Sequence, residues 1–335
     1  MNPPRFLLPA LLILGGCSAD RSAPQPEPSP ARTGSGAPAF ADAGNPVRAL
    51  ASSRRGPVRT FRILLEEDTE AGDRSLATYS HAGRGTPMPL IVLLPPLGGD
   101  SRELIYFTRY LAERGFACLR LERPEPLLDL AGGLDHTRAV LGREVVRVRR
   151  LLDWVASRPE VDPSRIGILG VSTGALSAAV AAGTDQRIRA AVLVLGGADL
   201  PRILLESEDR AVRRFRRALM DRLGWTPADL LREARVRLGE VDPLRYADAL
   251  RADRLLLVEA LFDRVIPAAS RYELWSRAGR PRRLRLPVGH YSAILLAPLV
   301  RWHTYRFLED RLAEASPAAG LTRRRAAVAP GAEGR

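Results

Sequence analysis

The chain has 335 residues, which is enough to bury the core of one large α/β domain. Its formal net charge of +13 comes from arginine alone, because the sequence contains no lysine. The arginines are interspersed with acidic residues over most of the chain, which argues against a nucleic-acid-binding protein, where basic residues cluster in a patch or stripe.

The first residues have the pattern of a secretory signal. Arg5 supplies a positive charge, and residues 6–14 form an apolar run too short to cross a bilayer of about 30 Å as a helix. The Leu-Gly-Gly-Cys sequence that follows resembles a bacterial lipobox, whose cysteine, here Cys17, receives acyl chains such as palmitate and becomes the mature N-terminus. An ordinary signal peptide with an incidental cysteine is the alternative. Because Ser18 follows rather than aspartate, the resemblance implies anchoring in the outer membrane of a Gram-negative cell envelope.

Four segments organise the chain. We predict a lipoprotein signal peptide over residues 1–16, a flexible tether over 17–56, a folded domain over 57–314 and a disordered tail over 315–335. The tether and the tail are rich in Pro, Ala and Gly and lack apolar periodicity. Within the domain, Cys118 lies in an apolar run, so we expect a buried core thiol and no disulfide.

The domain is predicted to alternate strands and helices. Apolar runs and two-residue alternation predict strands over residues 58–65, 75–79, 90–94, 116–121, 165–169, 190–195, 254–259 and 283–286. Helical periodicity predicts helices over residues 101–114, 142–156, 173–182 and 294–313. The first two strands are expected to form an antiparallel hairpin, and the later alternation indicates a mostly parallel sheet with helices on both faces.

Residues of about 200–250 break this alternation, because they are helical throughout and predict a lid-like insertion over the sheet edge. Apolar residues recur there at helical spacing, at Val212, Phe215, Leu219 and Leu223. Arginines fill most of the positions between them, namely Arg210, Arg213, Arg214, Arg216 and Arg217. A solvated basic face and a contact with anionic lipid headgroups or an acidic substrate both fit this pattern. Trp225 or Tyr246 could line an acyl pocket or belong to ordinary core.

The sequence Gly170-Val171-Ser172-Thr173-Gly174 connects a predicted buried strand to an alanine-rich predicted helix. In a G-x-S-x-G elbow the serine lies on a sharp turn that exposes its hydroxyl, and the glycines avoid clashes with neighbouring backbone. The motif alone is weak evidence, and a structural Gly-Ser turn is the alternative. The strand before it and the helix after it favour the elbow.

With these motifs, residues 58–313 resemble the α/β-hydrolase superfamily, and within it the esterases related to dienelactone hydrolase. In that family an acid and then a histidine follow the elbow serine along the chain. Asp263 matches the family's D-x-x-I-P acid loop, and His290 matches its Gly-His loop after the last strand. Asp199 is an alternative acid, because it follows an earlier strand that some members use. The resemblance implies a nucleophilic Ser172, with His290 as general base and then acid, and with Asp263 orienting the imidazole.

The resemblance also implies an oxyanion hole formed by two backbone N–H groups. Thr173, the residue after the nucleophile, supplies one, and Leu97 in the loop after the third predicted strand supplies the other. The family usually has His-Gly in that loop, whereas this chain has Pro95-Pro96. A proline has no N–H to donate, but two prolines stiffen the loop.

We therefore expect a serine hydrolase that cleaves carboxylic esters of small-molecule or lipid-like substrates, without a metal or an organic cofactor. A thioesterase, an amidase or a peptidase would use the same residues. The alternative of a different class is a catalytically silent surface lipoprotein that binds a ligand or a partner through the same site. The Pro95-Pro96 loop favours this alternative, and the complete serine, aspartate and histidine set argues against it.

Overall fold

A computed structural model describes residues 47–66, 74–83, 85–99 and 102–313. The predicted signal peptide, the acylation at Cys17, most of the tether and the tail lie outside these residues. Within the described ranges no helix combines the length and the apolar character needed to cross a membrane.

Nine strands and nine α-helices are present in the described residues. The strands are β1 (Val47–Arg55), β2 (Val58–Glu66), β3 (Arg74–His81), β4 (Met88–Leu94), β5 (Ala117–Leu121), β6 (Val161–Val171), β7 (Ile188–Val194), β8 (Leu255–Ala260) and β9 (Arg282–Leu286). The helices are α1 (Arg102–Glu113), α2 (Gly133–Ala156), α3 (Thr173–Thr184), α4 (Leu200–Glu206), α5 (Arg210–Leu223), α6 (Pro227–Leu238), α7 (Pro243–Tyr246), α8 (Ala268–Arg277) and α9 (Ala297–Ala313).

All nine strands form one sheet in the order β1-β2-β3-β5-β4-β6-β7-β8-β9. The three pairs β1-β2, β2-β3 and β3-β5 are antiparallel. The five pairs that follow in this order, from β5-β4 to β8-β9, are parallel. The predicted architecture, a mostly parallel sheet preceded by antiparallel strands, is therefore confirmed.

The two faces of the sheet bury separate apolar layers. In β4, Leu90 and Val92 face the layer under α2, α3 and α8, whereas Ile91 and Leu93 face the layer under α1 and α9. Side chains alternate in this way because successive residues of a strand point to opposite faces. Cys118 is fully buried in the second layer as a free thiol, as predicted.

The predicted tether ends too late, because residues 47–55 form β1. β1 pairs along its length with β2, so three strands rather than two form the antiparallel part. Residues 48–55 are all exposed, so neither face of β1 needs apolar side chains. The segment therefore lacks the alternation of apolar and polar residues from which a strand could be predicted. Backbone pairing with β2 alone makes it a strand.

Some helix boundaries differ from the prediction. α2 begins at Gly133 rather than at residue 142, because Leu134, Val140 and Leu141 pack against the insertion. α8 was not predicted, and the last helix begins at Ala297 after a short 3₁₀ turn. Tertiary neighbours decide these boundaries.

The insertion between β7 and β8 consists of α4 to α7, as the helical pattern predicts. α6 begins at the predicted turn, with Thr226 as its N-cap, Pro227 in the first turn and a reciprocal capping box with Asp229. The inner sides of these helices form a third apolar cluster that includes Leu176 of α3 and Ile266 after β8. The insertion therefore packs directly against the elements that carry the predicted site.

Candidate active site

The elbow after β6 forces Ser172 into a strained conformation, with φ 53° and ψ −116°. A Cβ at Gly170 would lie 2.2 Å from the carbonyl oxygen of Gly174, and one at Gly174 would lie 2.4 Å from that of Leu94. Both positions therefore require glycine. Strain of this kind, for a residue other than glycine, persists only where surrounding structure holds it, and it occurs mainly at functional sites.

The structure brings together the three side chains predicted from the sequence. Ser172 Oγ lies 3.1 Å from His290 Nε2, and His290 Nδ1 lies 2.8 Å from Asp263 Oδ2. Ser172 follows β6, Asp263 follows β8 and His290 follows β9, so their meeting depends on the parallel arrangement of these strands. This geometry lets the imidazole accept the serine proton at Nε2 while its other nitrogen donates to the carboxylate.

The Asp263 carboxylate is held on both oxygens. Its Oδ1 accepts the backbone N–H groups of Val265 and Ile266 at 2.8 and 2.9 Å, which leaves Oδ2 for His290. The Asp263 side chain is fully buried, and that of His290 is 7 % exposed. A carboxylate fixed in this way fixes the orientation of the imidazole and stabilises its charged form.

The alternative acid considered from the sequence, Asp199, is engaged elsewhere. Asp199 caps α4, accepts the N–H of Arg202 and forms an ion pair with its guanidinium at 3.0 Å. Arg264, the neighbour of Asp263, lies 3.5 Å from Glu208. The acid beside His290 is therefore Asp263.

The predicted oxyanion donors, Leu97 and Thr173, line one cavity with Ser172. Thr173 is the first residue of α3, so its N–H belongs to the helical turn whose donors have no acceptor within the helix. Hydrogen bonds from Arg123 hold the loop that carries Leu97. The Arg123 guanidinium donates to the carbonyl oxygens of Pro95 at 3.2 Å and of Pro96 at 2.8 Å.

Arg123 and Glu144 form a buried ion pair behind this loop, which the sequence analysis missed. The guanidinium contacts both carboxylate oxygens at 2.9 and 3.0 Å, and the two side chains are only 2 and 4 % exposed. Ser177 of α3 also donates to Glu144. One signal was available: Glu144 falls at helical spacing between Leu141 and Val148 on the apolar face of α2, where a charge needs a buried partner.

The cavity in front of Ser172 has a volume of about 630 Å³ and is mostly apolar. The sheet, α1, α9 and the insertion all contribute to its wall; examples are Phe107, Val194, Ile203, Val212 and Val300. Trp225 and Tyr246 are not among the residues that line it, so the alternative that either residue lines an acyl pocket is wrong. Trp225 packs against the cluster under the insertion, and the Tyr246 hydroxyl donates to the carbonyl of Glu240.

A second missed contact joins the insertion to the histidine loop. Tyr291, next to His290, donates its hydroxyl to Asp209, the N-cap of α5. Partial burial of the phenol together with this hydrogen bond to the carboxylate raises the pKa of Tyr291 to about 12, so the phenol stays neutral at physiological pH. The loop that carries the imidazole is thus tied to the insertion by one hydrogen bond.

One known protein family resembles part of this chain in sequence. The family model described as "BAAT / Acyl-CoA thioester hydrolase C terminal" matches residues 150–250, which contain the elbow and most of the insertion. No curated protein matches the chain by sequence.

Solved structures resemble the chain over most of its length. Acetyl xylan esterase 1 from Thermoanaerobacterium sp. has a TM-score of 0.63 and 18 % identity, covering 78 % of this chain and 87 % of its own. Acetyl xylan esterase from Paenibacillus sp. R4 has a TM-score of 0.62 and 20 % identity, with coverage of 79 and 88 %. The 2,6-dihydroxy-pseudo-oxynicotine hydrolase has a TM-score of 0.57 and 17 % identity, with coverage of 76 and 68 %. At these identities the likeness shows a shared fold.

Proposed function

We propose that this chain, which has the α/β-hydrolase fold, is a serine hydrolase that cleaves carboxylic esters through an acyl-serine intermediate. The observation that carries the proposal is the continuous chain of contacts from Ser172 Oγ through His290 to Asp263 at the wall of an apolar cavity. Esterases among the proteins of similar fold add support.

In the first half of the reaction, Ser172 Oγ attacks the ester carbonyl carbon while His290 Nε2 takes the hydroxyl proton. The carbonyl oxygen becomes an oxyanion and accepts the N–H groups of Thr173 and Leu97, each worth about 2.7–4 kcal/mol in such sites. The tetrahedral intermediate then collapses, the bond to the alkoxy oxygen breaks, and the imidazolium returns its proton to the departing alcohol. The acyl group remains on Ser172.

In the second half, water attacks the acyl carbon while His290 takes one of its protons. The second tetrahedral intermediate collapses, Ser172 Oγ recovers the proton from the imidazolium, and the carboxylic acid leaves. Asp263 stays ionised throughout and stabilises the imidazolium in both halves. The apolar walls contribute by excluding bulk water from the developing charges.

Thioester hydrolysis is the second candidate, and the family match over residues 150–250 favours it. The same residues carry out the reaction, with a thiol in place of the alcohol as the leaving group. Matched oxygen esters and thioesters of one acyl group separate the two candidates by their kcat/KM values.

The test is hydrolysis of nitrophenyl esters of short and long acids by the protein and by Ser172→Ala, with fluorophosphonate labelling followed by mass spectrometry. We expect a labelled Ser172 and a loss on the order of 10⁶ in kcat for the variant. Equal turnover by both proteins together with absence of labelling would favour the catalytically silent binding protein.

We further propose that the enzyme is a lipoprotein of the cell envelope, bound to the outer membrane through acyl chains on Cys17. The lipobox-like sequence supports this proposal. Metabolic labelling with palmitate tests it: we expect label in the protein and none in Cys17→Ser. Label that persists in the variant would contradict the anchor.

A further inference from the structure

Four arginines of α5 share one exposed face. Arg210, Arg213, Arg214 and Arg217, here called the arginine stripe, have the spacing i, i+3, i+4, i+7 that places side chains on one side of a helix. The opposite side of α5 is buried through Phe215 and Leu219. The stripe therefore covers about 10 Å along the outer surface of the insertion, at 1.5 Å per residue.

Within the described ranges, no carboxylate lies within 4.0 Å of a stripe guanidinium. Asp221 borders the same surface depression without reaching that distance. Arg216, on another side of the helix, is used differently, since it donates to the carbonyl oxygens of Leu204 at 2.9 Å and Ser207 at 3.3 Å. Like charges at helical spacing destabilise a helix, and an anionic partner outside the chain would offset this repulsion.

Large apolar side chains are exposed in the segments that follow β8 and β9, as far as the first turn of α9. This apolar rim consists of Phe262, Tyr291, Ile294, Leu295 and Leu299, which are between 43 and 76 % exposed. Tyr291 and Ile294 also line the cavity, so the rim continues into it. Apolar side chains gathered at one place on a surface mark an interaction site.

The stripe and the rim meet at a hydrogen bond. Tyr291 of the rim donates to Asp209, and Asp209 directly precedes Arg210, the first residue of the stripe. A second hydrogen bond joins the segment before α5 to the loop after β8. The backbone N–H of Glu208, next to Asp209, donates to the carbonyl of Arg264, two residues after Phe262 of the rim. The stripe lines a surface depression separate from the cavity, and the stripe and the rim adjoin at Asp209 and Arg210.

We propose that the arginine stripe and the apolar rim form one docking face for a lipid bilayer that carries anionic headgroups. Guanidinium groups would bind the phosphates, and the rim would enter the boundary between headgroups and acyl chains. A soluble polyanion such as a nucleic acid would satisfy the stripe but would leave the rim in water, so the observations favour the bilayer. If the proposed function holds, a lipid-like ester could pass from the bilayer into the cavity.

The test is sedimentation of the mature chain, residues 17–335, with vesicles of phosphatidylcholine and with vesicles that contain equal parts of phosphatidylcholine and phosphatidylglycerol. All proteins carry Ser172→Ala and Cys17→Ser and lack the apolar run of residues 6–14, so hydrolysis, acylation at Cys17 and the signal segment do not contribute. The outcome therefore does not depend on whether the chain is a hydrolase. We expect tighter binding to the anionic vesicles, and a loss of about 30-fold in that affinity for Arg213→Ser/Arg217→Ser.

Two further variants separate the parts of the face. Phe262→Ser/Leu295→Ser should weaken binding to both kinds of vesicle, by about tenfold. Arg54→Ser/Arg55→Ser removes the same charge from β1, at the other edge of the sheet, and should leave the affinity within about twofold.

Three results would overturn the proposal. The first is equal binding of both kinds of vesicle by the protein that carries only Ser172→Ala and Cys17→Ser. The second is an equal loss of affinity for anionic vesicles in Arg213→Ser/Arg217→Ser and in Arg54→Ser/Arg55→Ser. The third is binding of the protein to heparin without binding to vesicles. The last result would identify the partner as a soluble polyanion.

Discussion

His290 Nδ1 and Asp263 Oδ2 lie 2.8 Å apart, and the carboxylate that makes this contact is fully buried. Two backbone N–H groups hold its other oxygen, so the aspartate has one available orientation. The contact selects the imidazole tautomer that leaves Nε2 facing Ser172.

Asp263→Asn should therefore lower kcat by about 10⁴, because the amide favours the wrong tautomer and cannot stabilise the imidazolium. Rates of ester hydrolysis for this variant and for Asp199→Asn measure the effect. Asp199 pairs with Arg202, so its variant serves as the control and should keep nearly full kcat. A comparable loss in both variants would refute the assignment of the acid.

Gly174→Ala should lower the free energy of unfolding by about 3 kcal/mol or more, because its Cβ would lie 2.4 Å from the backbone oxygen of Leu94. Gly142→Ala is the control: its Cβ would lie 3.8 Å from Val241, and alanine in the middle of α2 should add up to about 1 kcal/mol. Denaturant unfolding measures both. A Gly174→Ala protein of unchanged stability would show that the backbone of the elbow can move away from Leu94.

Arg123→Met should lower the free energy of unfolding by about 3–5 kcal/mol, because it leaves the buried Glu144 carboxylate without its counter-ion. In Arg123→Met/Glu144→Leu most of this stability should return, since no unpaired charge remains.

Activity should not return with stability in the double variant, because the carbonyls of Pro95 and Pro96 still lack the guanidinium that holds the Leu97 loop. Denaturant unfolding and ester hydrolysis, measured on the same samples, separate the two effects. A double variant that regains full kcat would show that Arg123 serves only to neutralise Glu144.

Val212→Trp should reduce kcat/KM for long acyl esters at least about tenfold more than for acetyl esters, because the indole would fill cavity space beside α5. Val236→Trp, on the 75 % exposed position of α6, is the matched control and should leave the chain-length profile unchanged. A uniform loss over all chain lengths would mean that the acyl group lies elsewhere.

The stability contribution of Asp185 should depend on pH. Side-chain hydrogen bonds from Arg187 hold the pKa of this carboxyl below its usual value of 3.8. A carboxyl with a lowered folded-state pKa stabilises the fold above the unfolded value, and this stability is lost as pH falls through the folded value. Asp185→Asn should therefore destabilise the protein at pH 7, and the difference should shrink below a pH of about 3.8.

Unfolding midpoints measured over this pH range test the prediction. Asp153→Asn is the control, because its carboxylate contacts the same Arg187 but is 69 % exposed, where ion pairs contribute little. A pH-independent effect of Asp185→Asn would indicate lost packing rather than a lost charge.

Much of the fold could be predicted because its signals are local. The apolar run that became β4 and the Thr226-Pro227 helix start both lie within a few residues of chain. β1 could not be predicted, since its exposed residues carry no periodicity and only the pairing with β2 defines it. The early start of α2 depends in the same way on a distant neighbour, the insertion.

For the site, the sequence by itself determined the residue types, because the Gly170–Gly174 elbow, the acid loop at Asp263 and the Gly-His pair at His290 are each short motifs. The tertiary structure alone decided that Asp263 rather than Asp199 reaches His290, that Arg123 holds the Pro95-Pro96 loop, and that Tyr291 binds the insertion. These contacts join residues far apart in the chain. Their geometry follows from the order of the parallel strands and the packing between layers, which no local pattern records.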